Sequence, residues 1–336
     1  MWYTLFMHNT PDFIAIGDIT TDAFIRLNQE QAEVKDCIDH NRQELCLSFG
    51  DKVPYEFVKV LRAVGNSANA AVSASRLGLN AALLGNVGDD INGKECIESL
   101  IKDNVDTQFI KTNAGKITNY HYVLWYGVER TILIKHEKYD YVLPNIGTPK
   151  WVYLSSLGEN SLPYHLELAS YLKDNPEIKL VFQPGTYQMN FGTEALVEIY
   201  SRTDIFFCNV EESQRILKTE EKDIKKLMGM LHELGPKSVF VTDGIKGAYA
   251  SDGTSFWFMP IFPQEPFERT GAGDAFASTV TVALALGKSI EEALMWGPVN
   301  SAAVVQKIGA QEGLLTQEEL LAKLNTAHDD YKPKKI

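Results

Sequence analysis

From about residue 150 onward the chain alternates short apolar runs with amphipathic stretches, and this alternation most limits what it can fold into. The runs at 151–154, 180–183, 205–208 and 238–242 have strand length and show no polar face. The stretches at 164–173, 193–202, 211–217 and 222–234 between and beside them carry apolar residues at helical spacing. A strand, a crossover helix and a parallel strand close right-handedly, so repeated units build a mostly parallel sheet with helices on both faces. Ligands of such sheets sit at the C-terminal ends of the strands. The first half adds apolar runs at 13–16 and 81–87.

The chemistry is concentrated in Glu268-Arg269-Thr270-Gly271-Ala272-Gly273-Asp274-Ala275-Phe276. Phe276, Val280, Ala283, Leu284 and Gly287 fall at helical spacing, which predicts a buried helix starting at or near Asp274. Gly271 and Gly273 allow the backbone to approach a ligand closely. Free N–H groups and the positive end of the helix dipole then form an anion site. Asp274 places a carboxylate beside it. The plain alternative is a glycine turn with an aspartate capping a core helix. The chemical reading is phosphoryl transfer: the cradle holds the moving charge and the carboxylate takes a hydroxyl proton.

Other candidates lie at strand ends. Asp18 and Asp22 follow the 13–16 run, either as turn chemistry with a solvated carboxylate or as a grip on sugar hydroxyls. Gly65 and Asn69 open a small-residue helix ending at Gly78. Asn209 and Glu212 form a capping-box pattern after the 205–208 run. Asp90 is expected to cap a helix over 94–102, and Ser289 with Glu292 to cap the helix after Gly287. Residues 26–46 read as polar and partly irregular, 48–60 as short strands, and 119–136 as a hairpin. A plain amphipathic helix is expected over 316–327.

Taken together, Thr-Gly-Ala-Gly-Asp-Ala-Phe at 270–276, Gly65-Asn66-Ser67-Ala68-Asn69-Ala70 and Gly85-Asn86-Val87-Gly88-Asp89 resemble the signatures of the ribokinase-like, phosphofructokinase-B type carbohydrate kinases. Val64 and Glu268-Arg269 depart from that family's usual Gly and Asp-Thr. The resemblance spans roughly 13–312. It implies a ribokinase-like three-layer α/β/α sandwich over 11–327, with a mostly parallel central sheet. A small β-sheet lid from about 23–62 and 115–140 would cover the substrate, and 328–336 would be a loose tail.

The same resemblance implies the site. Asp274 would be the general base, with the amides of Gly271, Ala272 and Gly273 as the anion hole. Asp18, Asp22, Gly65 and Asn69 would hold a sugar. Asn209, Glu212, Thr242, Gly244, Gly247 and Asn300 would bind ATP, with Asn300 beside adenine. Glu212 would act on Mg2+ through water, and Glu268 and Thr270 would adjoin K+. Asp243 should point away from the phosphates, and no role is read for Gln183. A nucleoside kinase of the same fold and a non-catalytic sugar or nucleotide sensor are the competing readings. A homodimer through the lid is the expected assembly.

The composition agrees with a small-molecule enzyme. Net charge is −12, from 32 basic and 44 acidic residues, so nucleic acid and anionic membrane are poor partners. The four cysteines lack CxxC spacing, which fits a reduced, cytoplasmic protein. The seven histidines show no HExxH spacing for zinc. No run has the length of a membrane span or the pattern of a signal peptide.

Overall fold

A computed structural model of the chain describes residues 10–37 and 42–336. Strand β1 (Phe13–Ile16) is buried at every position. Its side chains alternate between two cores, Phe13 and Ala15 in one, Ile14 and Ile16 in the other. A strand covered on both faces has no polar side to show in sequence.

The chain leaves β1 for β2 (Thr20–Leu27), makes a hairpin of β3 (Ala32–Cys37) and β4 (Arg42–Leu47), and returns through β5 (Tyr55–Val64) into α1 (Asn66–Arg76). Then come β6 (Ala81–Gly88), α2 (Ile91–Lys102), β7 (Ile110–Asn113), β8 (Asn119–Tyr126) and β9 (Glu129–Leu133). The second half begins with β10 (Trp151–Leu154), α3 (Leu162–Asp174), β11 (Lys179–Phe182), α4 (Thr186–Phe191) and α5 (Val197–Arg202). It continues with β12 (Ile205–Asn209), α6 (Val210–Leu217), α7 (Ile224–Glu233), β13 (Ser238–Thr242), β14 (Ala248–Ser251) and β15 (Phe256–Met259). Helices α8 (Ala272–Ala285), α9 (Ile290–Val304) and α10 (Gln317–Leu324) and the short β16 (Lys334–Lys335) close the described chain.

The large sheet has the order β16-β15-β14-β13-β12-β11-β10-β1-β6-β7. From β7 to β13 neighbouring strands are parallel, and β14, β15 and β16 extend that edge antiparallel. Helices α1, α2, α8, α9 and α10 cover one face and α3, α5, α6 and α7 the other, which is the three-layer sandwich. A second sheet, β5-β2-β8-β9, forms the lid. It is mixed, because β2 pairs antiparallel with β5 but parallel with β8.

The caps fall where the pattern places them. Asp90 accepts the Gly93 N–H at 2.9 Å, and Ser289 with Glu292 forms a capping box. Four expectations need correction. Residues 26–46 are more regular than expected where they are described: β2 continues to Leu27 and, after a turn at 28–31, β3 pairs with β4, two polar strands that show no apolar periodicity. The lid strands already begin at Thr20 and run to Val64, directly against α1. The helix expected over 193–202 is only α5, preceded by α4, which stops at Gly192 with φ 84°. The 328–336 segment is not loose: β16 pairs with β15, and Tyr331 is buried with its hydroxyl donating to the Met295 carbonyl at 3.1 Å. Tyr331→Ala should therefore lower unfolding stability by about 3 kcal/mol in urea titration, the usual cost of removing a buried aromatic ring.

Candidate active site

Strand order reverses beside β1. The chain steps from β1 to β6 and β7 on one side, then resumes with β10 on the other. The loops after β1 and β10 must diverge there, which leaves a crevice at the C-terminal strand ends. Asp18 and Ser156 stand on its two sides, joined by the Asp18 N–H to the Ser156 carbonyl at 2.8 Å. A cleft of about 450 Å³ opens at this point and runs past Gln183, Asn209 and Thr242, the ends of β11, β12 and β13.

Helix α8 enters the cleft floor at its amino end. Gly271 is the N-cap with φ 83°, a left-handed conformation that favours glycine. A Cβ on Gly271 would also lie 2.4 Å from that of Ala310, so only glycine lets the two loops meet. A Cβ on Gly273 would meet nothing within 4 Å, so the backbone there is open to a ligand. The first amides of an α-helix have no intrahelical partner, and Gly271, Ala272 and Gly273 all line the cleft.

Asp274 lies in that first turn, partly open to the cleft. Three side-chain amides donate to its carboxylate: Asn66 to Oδ1 at 2.8 Å, Gln183 to Oδ1 at 3.0 Å and Asn69 to Oδ2 at 2.8 Å. Loss of hydration raises its pKa above the ordinary aspartate value, and the three amides and Arg130 act in the opposite direction. Asn66 and Asn69 come from one face of α1, three residues apart. Alanine and serine on α1 and α8 let these helices pack closely enough for the amides to reach the carboxylate.

The expected acceptor residues line the lid end of the cleft. Asp22 is in β2, and the parallel register sets it opposite His121 of β8, whose Nδ1 lies 3.4 Å from Asp22 Oδ1. Asp18 is buried and already bonded on both oxygens, by the Tyr141 hydroxyl and by His136 Nδ1, each at 2.8 Å. Gly65, with φ 113°, lets α1 start against the Asp18 carbonyl, which a Cβ would approach to 2.8 Å. Its role in the geometry is therefore clearance. Sequence reasoning missed His121, His136 and Tyr141, since isolated residues in the lid and following loop carry no spacing. It also found no role for Gln183, whose function depends on a contact far away in sequence.

At the other end, Asn209 and Glu212 both line the cleft and cap each other, Asn209 Oδ1 accepting the Glu212 N–H at 2.7 Å and Glu212 Oε2 accepting the Asn209 N–H at 2.9 Å. Burial raises the Glu212 pKa, and the nearby Asp274 charge adds to the rise. Thr242 lines the cleft, whereas Gly244 and Gly247 belong to the turn beyond it and are not part of the lining. Asp243 is turned onto Lys246, 3.1 Å away.

One expectation fails here. Asn300 is fully buried, donating to Thr279 Oγ1 at 2.8 Å and accepting the Leu315 N–H at 2.9 Å, so it is closed to adenine. Glu268 is also fully buried. Its Oε1 accepts the N–H and hydroxyl of Thr270 at 2.7 and 2.6 Å, and its Oε2 the Gly309 N–H at 3.1 Å. These donors make Glu268 a brace for the anion loop. The lid reaches the same loop: Arg269 pairs with Glu129 at 2.6 Å, and Trp125 meets Phe267 edge-on at 5.2 Å.

A ribokinase-like sandwich, lidded over a helix-start anion site with a carboxylate in its first turn, defines a class of small-molecule phosphotransferases that use an alcohol group as acceptor. The chain belongs to the pfkB family of carbohydrate kinases, whose sequence model matches residues 35–317. It is 26% identical over 272 residues to the ribokinase of Haemophilus influenzae, covering 78% of this chain and 87% of that one. It is 34% identical over 148 residues to the cytidine kinase of Thermococcus kodakarensis, covering 43% and 52%. The Arabidopsis thaliana ribokinase solved with ribose and ATP superposes with a TM-score of 0.77 at 20% identity, covering 95% of this chain and all of that one. The protein is thus a kinase of the pfkB carbohydrate kinase family.

The placement of Asn300 yields a test. Asn300→Ala should cost about 1–3 kcal/mol of stability, because it strands the Leu315 N–H and the Thr279 hydroxyl. The KM for nucleotide should stay at the wild-type value in steady-state assays.

Proposed function

We propose that the protein transfers the γ-phosphoryl group of ATP to a hydroxyl of a sugar bound at the lid end of the cleft. The observation that carries this is the position of the Asp274 carboxylate, between the amino end of α8 and the Asp22 and Asn69 side chains. Asp274 accepts the hydroxyl proton, the freed oxygen attacks the γ-phosphorus, and the bond to ADP breaks. The amides of Gly271, Ala272 and Gly273 stabilise charge on the group in transit. Asp22, with Asn69, holds the sugar, while Asp18 fixes His136 at the cleft wall and accepts the Tyr141 hydroxyl behind it.

Magnesium fits Glu212 and Asn209. Among the described residues no three metal-binding side chains cluster, and Glu212 is a single acidic group beside the phosphate path. A hard ion that keeps several waters and draws most ligands from phosphate suits such a site, where it would offset triphosphate charge. The carboxylate of Glu268 is not assigned to potassium.

A nucleoside acceptor is the second reading, supported by the 34% identity to a cytidine kinase. The phosphotransferase assignment sets aside the sensor reading. No helix among the described residues is long and apolar enough to cross a membrane, and a cytoplasmic setting remains part of this proposal. The outer lid face also suits a second copy. Val60, Tyr122 and Leu133 share one cross-strand row and are 40%, 49% and 51% exposed.

ADP release measured across a panel of sugars and nucleosides tests the function, and release above background with none of them would refute it. Asp274→Asn should cut turnover by roughly 10²-fold or more while nucleotide affinity holds, the range for loss of a general base. A turnover near wild type would remove Asp274 from that role. Sedimentation should show a dimer that Tyr122→Lys converts to monomer; a monomeric wild type rules out the lid contact.

A further inference from the structure

Resting on the phosphotransferase reading above, we infer that Tyr153 and Gln183 form a positioning pair that fills Asp274 Oδ1 and leaves Oδ2 as the atom that takes the acceptor's proton. The Gln183 side chain cannot present either end at will. Its Oε1 receives a hydrogen bond from the Tyr153 hydroxyl, which directs its Nε2 to Asp274 Oδ1 at 3.0 Å. Tyr153 is fully buried in β10, and a buried phenol needs an acceptor for its proton. With Asn66 as the second donor at 2.8 Å, both in-plane lone pairs of Oδ1 are occupied.

Oδ2 has one donor, Asn69. That amide is tethered in the same way, its Oδ1 held by Gln311 Nε2 at 3.0 Å. Oδ2 therefore keeps a free lone pair on the side of the acceptor residue Asn69. In the reaction the acceptor O–H bond breaks, its proton goes to Oδ2, the oxygen bonds to the γ-phosphorus, and the phosphorus–oxygen bond to ADP breaks with its electron pair leaving on ADP.

The choice of amide over carboxylate at position 183 matters electrostatically. An amide donor stabilises the ionised base without neutralising it, whereas a carboxylate there would compete with Asp274 for one proton. The charged groups acting on Asp274 are Arg130 from β9 and Glu212 from α6. Asp18, Asp22, His121, His136, Tyr187, Cys208 and Arg269 are the other charged or titratable groups in the cleft lining. None of these is altered by changes at 153 or 183.

The experiment follows the Asp274 carboxyl directly, by NMR of full-length protein labelled with 13C at aspartate carboxyls, its resonance assigned by its loss in Asp274→Asn. The pH profile of kcat/KM is measured in parallel. Gln183→Met should raise the Asp274 midpoint and the acid limb of the profile together, by about one pH unit, because a donor to the ionised form is lost. Gln183→Glu should raise both further, through a shared proton. Tyr153→Phe, which removes one oxygen, should move both the same way by less. Midpoints unchanged from wild type in folded variants, with turnover reduced, would make the pair merely structural and overturn the inference. If the resonance moves as stated but wild-type protein phosphorylates no acceptor, the pairing stands and the phosphotransfer reading falls instead.

Discussion

Taking a carboxylate out of water is costly, and the cleft is arranged around making that tolerable for Asp274 without destroying its basicity. A buried carboxylate can be compensated by a cation or by neutral donors. A guanidinium in direct contact would depress its pKa by about 1–3 units, leaving a weak base. Here the direct partners are three amides, and Arg130 acts on its titration less than any of them. Desolvation outweighs them all, and the carboxyl lies above its ordinary value. Neutral donors thus allow an ionised group to be held in place and still be basic, which a salt bridge would not.

The fold supplies those donors from two elements and the carboxylate from a third. Asn66 and Asn69 arrive on α1, Gln183 at the end of β11, and Asp274 itself on α8. They meet because the strand order reverses beside β1 and leaves room at the strand ends. Close packing of α1 on α8 depends on residues such as Ala68, Ala71, Ala275 and Ala277, all nearly inaccessible to water. The same economy applies at Gly271, where a methyl group would collide with Ala310. Small residues here set distances between polar ones.

The α/β sandwich was legible because its signals are local and periodic: the fully buried β1 and the start of α8 follow from residue spacing alone. The glycines and Asp274 were legible for the same reason. The capping box of Asn209 and Glu212 was legible too, and its two readings turn out to be compatible, since residues that cap α6 also line the cleft. What escaped were partners set by tertiary register. His121 faces Asp22 only because β8 runs parallel to β2, a pairing between segments about a hundred residues apart. Asn300 misled because a polar amide in an apolar helix has two explanations, and here Thr279 and the Leu315 N–H satisfy it internally.

The lid's grip on the anion loop can be weighed in the same terms. The Arg269–Glu129 pair is exposed on both partners, and exposed ion pairs contribute about 0.2–1 kcal/mol. The Trp125–Phe267 edge contact adds on the order of 1 kcal/mol beyond its buried area. Arg26 stacks over the Trp125 ring, 4.2 Å from its centroid, and donates to the Gly127 carbonyl at 2.7 Å, so that the hairpin tip is stiff within the lid. A stiff tip attached to its neighbour by weak interactions separates as a unit. Opening between the tip and the anion loop breaks the ion pair and the ring edge and leaves the sheet hydrogen bonds in place. That is the balance a lid needs if substrate must enter and water must then be kept out.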